Sequence, residues 1–201
     1  MIKRVVTLAG AILFLIAVNL ASAMDSEILN VVKRITHKKI LPLAKEPILV
    51  NAVREANKKA VKSPDEIIQL DKRWRATEGI DEWITGFLNN ACAYYLKKFQ
   101  KDAARGERNL YSEIFVMDKQ GNIVAETDKT TDYWQGDEDK FIKSFADGKG
   151  VVFIDEPVFD ESSERYSVQV SAPVLDPDTH KAIGAITVGI DLDILAEQFV
   201  Y

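Results

Sequence analysis

Cysteine is nearly absent from this 201-residue chain. Cys92 stands alone, so no intramolecular disulfide can form, and its setting "NNACAYYL" fits a small core residue. Histidine occurs only as His37, in "THKK", and His180, in a turn, and their spacing matches no ligand or nucleophile–base motif. The patterns H-E-x-x-H, G-x-S-x-G, C-x-x-C-H and a glycine-rich phosphate loop are all missing. Ser162 and Ser163 lie beside Asp160 with no base in sight, so hydrolysis would have to rest on a carboxylate pair such as Asp132 and Asp160. The chain is expected to be no enzyme and to need no cofactor. Positive charge is also short, with 26 Lys and Arg against 31 Asp and Glu. No basic stripe is left to neutralise phosphates, which argues against nucleic acid as a partner. There is no repeat, no low-complexity tract and no second hydrophobic span.

The one long apolar run is "VVTLAGAILFLIAVNLA", residues 5–21. Lys3 and Arg4 precede it and "ASA" (21–23) follows, the order of a secretory signal peptide. Cleavage after Ala23 would remove residues 1–23 and carry the net charge from −5 to −7. The alternative is an uncleaved anchor, because 17 residues is near the short limit for crossing a bilayer. In either case residues 24–201 are expected outside the cytoplasm, periplasmic or secreted, or held at the inner membrane by their N-terminus. A chain of this length fits one domain, with a core that needs no staples.

Two halves differ in period. From Asp25 to about Ala104 the pattern is helical. Ile28, Val32 and Ile35 recur at helical spacing, and Pro42 and Pro47 interrupt. "SPDE" (63–66) is a helix start, with Ser63 as cap, Pro64 in the first turn and Glu66 reaching back. From about Asp81 a longer helix carries Trp83, Ile84, Phe87, Leu88, Ala91, Tyr95 and Phe99 on one face until Gly106. From Glu113 the period is that of strands. "EIFVMDKQGNIVAET" (113–127) is a hairpin turning at Gly121. After the helical "DKFIKSFAD" (139–147) come strands in "VVFIDEPVF" (151–159), "YSVQVSAPVL" (166–175) and "AIGAITVGIDL" (182–192). The class is α+β: a helical region over 24–106, then five antiparallel strands over 113–192, with the long N-terminal helices on one face.

The last two strands each have an apolar row. Opposite it run Ser167, Gln169, Ser171, Thr187, Gly189 and Asp191, small and polar, with no Lys, Arg or Glu. Such a row is either an ordinary solvent face or, roofed by the 128–147 connection, the wall of a cavity with hydrogen-bonding groups. "TDYWQGDEDKF" (131–141) would then be pocket roof followed by a helix start, Asp137 or Glu138 lying in its first turn.

The lead-in helices, the "IFVMDKQGNIVAET" hairpin, "TDYWQGDEDKF" and "VQVSAPVLDPDTHKAIGAITVGIDL" together resemble the extracytoplasmic PAS-like sensor domains of the Cache/PDC family, over residues 24–201. The resemblance implies a five-stranded antiparallel PAS-like (Cache) sheet and a small-molecule pocket between the sheet and the loops of its middle strands. It also implies a role in signal transduction. Members of that family usually lie between two transmembrane helices of kinases, cyclases or chemoreceptors. The absence here of a second such helix and of an output domain points to a free-standing secreted form that serves a membrane-bound signalling partner. Of the Tyr/Arg/Trp/Tyr/Asp pattern of the amino-acid-binding subset, the resemblance implies a counterpart only for the terminal acid, Asp191.

The candidate ligand-binding residues are therefore Asp132, Tyr133, Trp134, Asp160, Tyr166, Gln169, Ser171 and Asp191. Acidic residues crowd the connections around them. If two or three converge, they favour a cationic, amine or amino-acid-like solute, with Tyr133, Trp134 and Tyr166 adding ring faces worth ~0.5–2 kcal/mol each. Calcium is the rival occupant, although no EF-hand spacing is present and no metal is expected. Two functions stay open: a small-molecule sensor, or an interaction module whose N-terminal helices form a homodimer or dock a membrane signalling protein.

Overall fold

The structure is a computed structural model, and it describes residues 26–59, 61–104, 108–160 and 165–199. The expected signal segment and the Gly106 helix end lie outside the described residues. The first helical run, α1, covers 26–43 and buries Val31, Val32, Ile35, Ile40 and Leu43. Pro42 does not interrupt it. The turn before the proline, Thr36–Ile40, is wound as a π-helix, in which the Leu41 N–H reaches back to the Thr36 carbonyl. Widening one turn lets the helix run through a residue that cannot donate.

Four more helices follow, each with its start written in the sequence. Pro47 opens α2 (Pro47–Lys58), where its missing N–H costs nothing. Ser63 and Glu66 close the expected capping box on α3 (Pro64–Ala76). The long helix expected from Asp81 is in fact two. Asp81 caps α4 (Glu82–Leu88) through the Ile84 N–H at 2.8 Å, and Asn90 caps α5 (Ala91–Asp102) through the Ala93 N–H at 2.9 Å. Asn89 and Asn90 break the helix because short amides compete with the backbone for its hydrogen bonds.

The sheet is antiparallel throughout, in the order β2 (Ile123–Glu126), β1 (Tyr111–Met117), β6 (Ala182–Asp191), β5 (Arg165–Leu175) and β3 (Phe153–Ile154). A further strand, β4 (Val158–Asp160), also pairs with β5, so the run 151–159 supplies two short strands to one edge position. Helix α6 (Asp139–Phe145) lies in the connection, and α7 (Leu192–Phe199) follows β6. One sheet face, with Val168, Val170, Ala172, Ile186, Val188 and Ile190, packs on α1, α2, α5 and α7. The other meets a second core in which Phe115, Met117 and Ala185 touch Trp74, Ile84, Leu88, Tyr133 and Phe141. Helices thus cover both faces. Among the described residues no helix is long and apolar enough to cross a membrane.

Candidate functional site

The segment 131–136 is not a loose loop. The Ile123 N–H donates to the Tyr133 carbonyl at 3.0 Å and the Gln135 N–H to the Gly121 carbonyl at 2.8 Å, so the segment runs along the free edge of β2. It crosses the hairpin turn where Gly121, at φ 81°, approaches Gly136 so closely that a Cβ would sit 2.5 Å from the Gly136 Cα. On its other side α3 holds it. Asp71 Oδ1 accepts the N–H groups of Tyr133 and Trp134 at 2.9 and 3.1 Å. Arg75 Nε bridges Asp71 and Asp132 at 2.8 and 2.7 Å. Trp74 Nε1 donates to the Thr130 carbonyl at 2.7 Å, and Trp134 Nε1 to the Gln120 carbonyl at 2.8 Å.

The eight residues expected at the site do not line one cavity. Asp132 is held in the arginine bridge, and the indole N–H of Trp134 is spent on the hairpin turn. Ser171 and Thr187 are fully buried under α6 and share a hydrogen bond of 2.8 Å, so the roof expected over the polar row is present but closed. Asp191, level with Ser167 in the sheet, caps α7 by accepting the Ile194 N–H at 2.9 Å. Tyr166 is exposed and packs its ring 5.0 Å from that of Phe159. Gln169 donates to Glu113 at 2.7 Å and lines a cavity of about 400 Å³ with Asp155, Glu156, Phe159 and Ser167. Asp160 lies on β4 opposite Arg165.

Tyr133 alone of the eight borders a cleft of about 750 Å³ between α2, α4, the start of α5 and the β1–β2 hairpin. Its aromatic wall is Trp83, Phe87 and Tyr133, with ring centroids 5.4–5.6 Å apart and tilted to near-perpendicular contacts. Trp74 backs all three at 5.5–5.8 Å. Arg73 lies 4.5 Å over Trp83, bonded in turn to Asp81, the residue that caps α4. These edge contacts fix the rings against one another.

Polar groups complete the cleft. Asn90, besides capping α5, donates to the Gly86 and Val124 carbonyls at 3.0 Å each, which ties α4 to β2. Asp118 folds the hairpin turn by accepting the Gln120 and Asn122 N–H groups at 2.8 and 3.0 Å. Burial, and then the Asp118 carboxylate, push the Tyr133 hydroxyl above the usual tyrosine range, so it stays protonated. Among the described residues the Tyr133 hydroxyl has no hydrogen-bond partner, which leaves it able to donate to a molecule in the cleft. Asn51, Glu55, Lys59 and Lys62 form the polar border. Cys92 also borders the cleft, but burial pushes its thiol up to about 12, which makes it a poor nucleophile. No three His, Cys, Asp or Glu side chains gather to hold a metal among the described residues.

Sequence reasoning did not single out Trp83, Phe87, Asn90 or Asp118 as a wall. Trp83 and Phe87 read as core on a helical face, and Asp118 as a turn residue. The signal that could have found them is the doublet Asn89–Asn90, which splits the helix and turns α4 away from α5.

No protein-family model and no curated protein sequence matches this chain. Solved structures similar to it are sensor domains of histidine kinases and chemoreceptors. The sensor domain of the histidine kinase DctB from V. cholerae is 13% identical, with 94% of this chain and 61% of that one covered and a TM-score of 0.49. The ligand-binding domain of the Pseudomonas aeruginosa amino-acid chemoreceptor PctC, solved with GABA, is 12% identical over 65% of this chain and 52% of that one, at a TM-score of 0.38. The sensory domain of the Campylobacter jejuni chemoreceptor Tlp3, with isoleucine bound, is 14% identical over 89% and 66%, at 0.38. This chain therefore spans less than two thirds of the length of each.

Proposed function

We propose that this chain is an extracytoplasmic sensor domain that binds a small polar or cationic solute, amine or amino-acid-like, and acts in signal transduction with a membrane-bound partner. Export directed by residues 1–23, cleaved as a signal peptide or kept as an anchor, belongs to the same proposal, as does the assignment of the motifs quoted above to the Cache/PDC class. The observation that carries it is the cleft of about 750 Å³ walled by Trp83, Phe87 and Tyr133, with the Asp118 carboxylate beside the Tyr133 hydroxyl. Small-molecule sites are concave, mostly apolar and roughly 300–1,000 Å³, with a few polar groups that orient the ligand. The rings offer faces to a cation worth ~0.5–2 kcal/mol each. Lys59 and Lys62 at the border suit the carboxylate of an amino-acid-like solute. Of the eight residues named from the sequence, Tyr133 is the one assigned to ligand contact. Asp132 and Trp134 hold it in place.

A thermal-shift panel of amines, amino acids and organic acids tests the proposal. A compound at ~100 times its dissociation constant should add ~2.7 kcal/mol of stability. Trp83→Ala should lose that shift while the folded protein remains. A panel-wide absence of shift, or a shift untouched by Trp83→Ala, contradicts binding in this cleft. The first outcome favours instead an interaction module that docks or dimerises through its N-terminal helices.

A further inference from the structure

The negative chain-wide charge hides a local reversal. Between Glu27 and Glu46 the sequence has no acidic residue and carries Lys33, Arg34, Lys38, Lys39 and Lys45, with His37 among them. All six are exposed, while the opposite side of α1 is spent on the core. Lys33, Arg34, His37 and Lys38 stand at helical spacings of three to five and share one side. Elsewhere, Lys58, Lys98, Lys143, Arg73 and Arg108 each sit on a carboxylate, whereas exposed Lys59, Lys72, Lys101, Lys119, Lys149 and Lys181 do not, so it is the lack of interspersed acid that sets the stretch 28–45 apart. None of the five cations on 33–45 makes an ion pair with any described residue. Taking them out of the count moves the net charge from −5 to −10, so the cations are segregated from the rest of the chain.

We propose that, where residues 1–23 are kept as an anchor, this side of α1 docks on the anionic surface of the lipid bilayer that the apolar run 5–21 enters. Two observations select that occupant. Lys33, Arg34 and Lys38 on that side, with Lys39 and Lys45 close by and no interspersed acid, are what an anionic lipid surface attracts, and that attraction acts over about one Debye length. The face also begins close to the apolar run. Only eleven residues lie between Ala21 and Lys33, a span of at most ~40 Å even when fully extended. The apolar side of α1 is already buried, so the contact is electrostatic and reversible, without insertion of the helix. It orients the domain on the membrane and leaves the solute cleft, whose walls come from α2, α4, α5 and the hairpin, on elements other than α1. The proposal does not depend on what the cleft binds.

The test uses the full chain reconstituted into vesicles of phosphatidylcholine alone, or with about a third phosphatidylglycerol. A membrane-impermeant amine-acetylating reagent is applied at single-hit levels, and modification at each lysine is read by mass spectrometry. Labelling of Lys33, Lys38 and Lys39 should fall about fivefold with the anionic lipid and recover in about 0.5 M salt, where the Debye length is only ~4 Å. Lys58 and Lys143, on other elements, should label alike in both vesicles. Equal labelling of the α1 lysines in the two compositions overturns the proposal. So does protection already present in neutral vesicles that grows with protein concentration, because it would mean that a second copy covers the face.

Discussion

Glu126 lies on β2 with its side chain fully buried and Oε1 without a hydrogen-bond partner among the described residues. Burial is the largest influence on its carboxyl. The backbone and hydroxyl of Thr130 oppose it by donating to Oε2 at 3.2 and 3.0 Å, and nearby Asp128 and Glu113 reinforce it, with the outcome pushed up to about 7 from 4.5. The folded chain therefore keeps a proton that the unfolded chain releases between those two values. Stability from this group is full below 4.5, falls as pH rises through that window and is lost above about 7, by on the order of 3 kcal/mol. Glu126→Gln cannot ionise and keeps an acceptor for Thr130. Denaturant midpoints should show the variant close to the parent at pH 5 and more stable at pH 8. Equal stability differences at the two pH values would mean that Glu126 does not titrate there. At this scale residue type alone does not reveal which partner a side chain takes. Asp132, Trp134, Ser171 and Asp191 have the residue types of a ligand site, yet Arg75, the Gln120 carbonyl, Thr187 and the Ile194 N–H take up their polar atoms. Arg75 and Thr187 lie 57 and 16 positions from Asp132 and Ser171, and no local pattern announces them, whereas the Asp191 cap on the Ile194 N–H is a local helix start.

Most elements were legible because their causes are local. The Ser63–Glu66 box, the Gly121 turn and the alternation of 166–175 and 182–191 stand where the sequence puts them, and the structure adds the register, Ser171 beside Thr187. The break at Asn89–Asn90 was missed because the apolar period of 83–99 continues across it, and a period says nothing about a backbone that turns between two phases of one face. Asn90 does three jobs there, capping α5 and donating to carbonyls on α4 and β2. Asn90→Ala should cost about 2 kcal/mol, a lost cap plus unsatisfied carbonyls. Asn90→Asp keeps the cap acceptor but turns a carboxylate toward those carbonyls, so it should be no milder. Urea unfolding of both variants checks the order; an aspartate variant as stable as the parent would show that only the cap matters.

At the scale of the whole molecule, both sheet faces are covered, and the 750 Å³ cleft lies among the helices and the hairpin, apart from the 400 Å³ cavity at the sheet. The α+β architecture follows from the sequence, with helices first and an antiparallel sheet after. The cleft does not, because it arises where α2, α4 and the hairpin fail to close on one another, which depends on three-dimensional angles. All three tryptophans stand in or against the aromatic cluster beside it, so intrinsic fluorescence reports on its occupancy. Gly86 provides the cleanest probe. It lies within α4, borders the cleft, and an added Cβ there would meet nothing within 4 Å. Replacing a helical glycine by a side-chain-bearing residue should raise stability by ~0.5–1 kcal/mol. Gly86→Leu should do so while filling the cleft. The decisive measurement is a calorimetric titration of the best compound from the solute panel into the parent and into Gly86→Leu. Cleft binding predicts saturable binding to the parent and at least a ~100-fold loss, about 2.7 kcal/mol, in the more stable variant. Undiminished affinity in a folded Gly86→Leu would contradict it and place the solute elsewhere on the molecule.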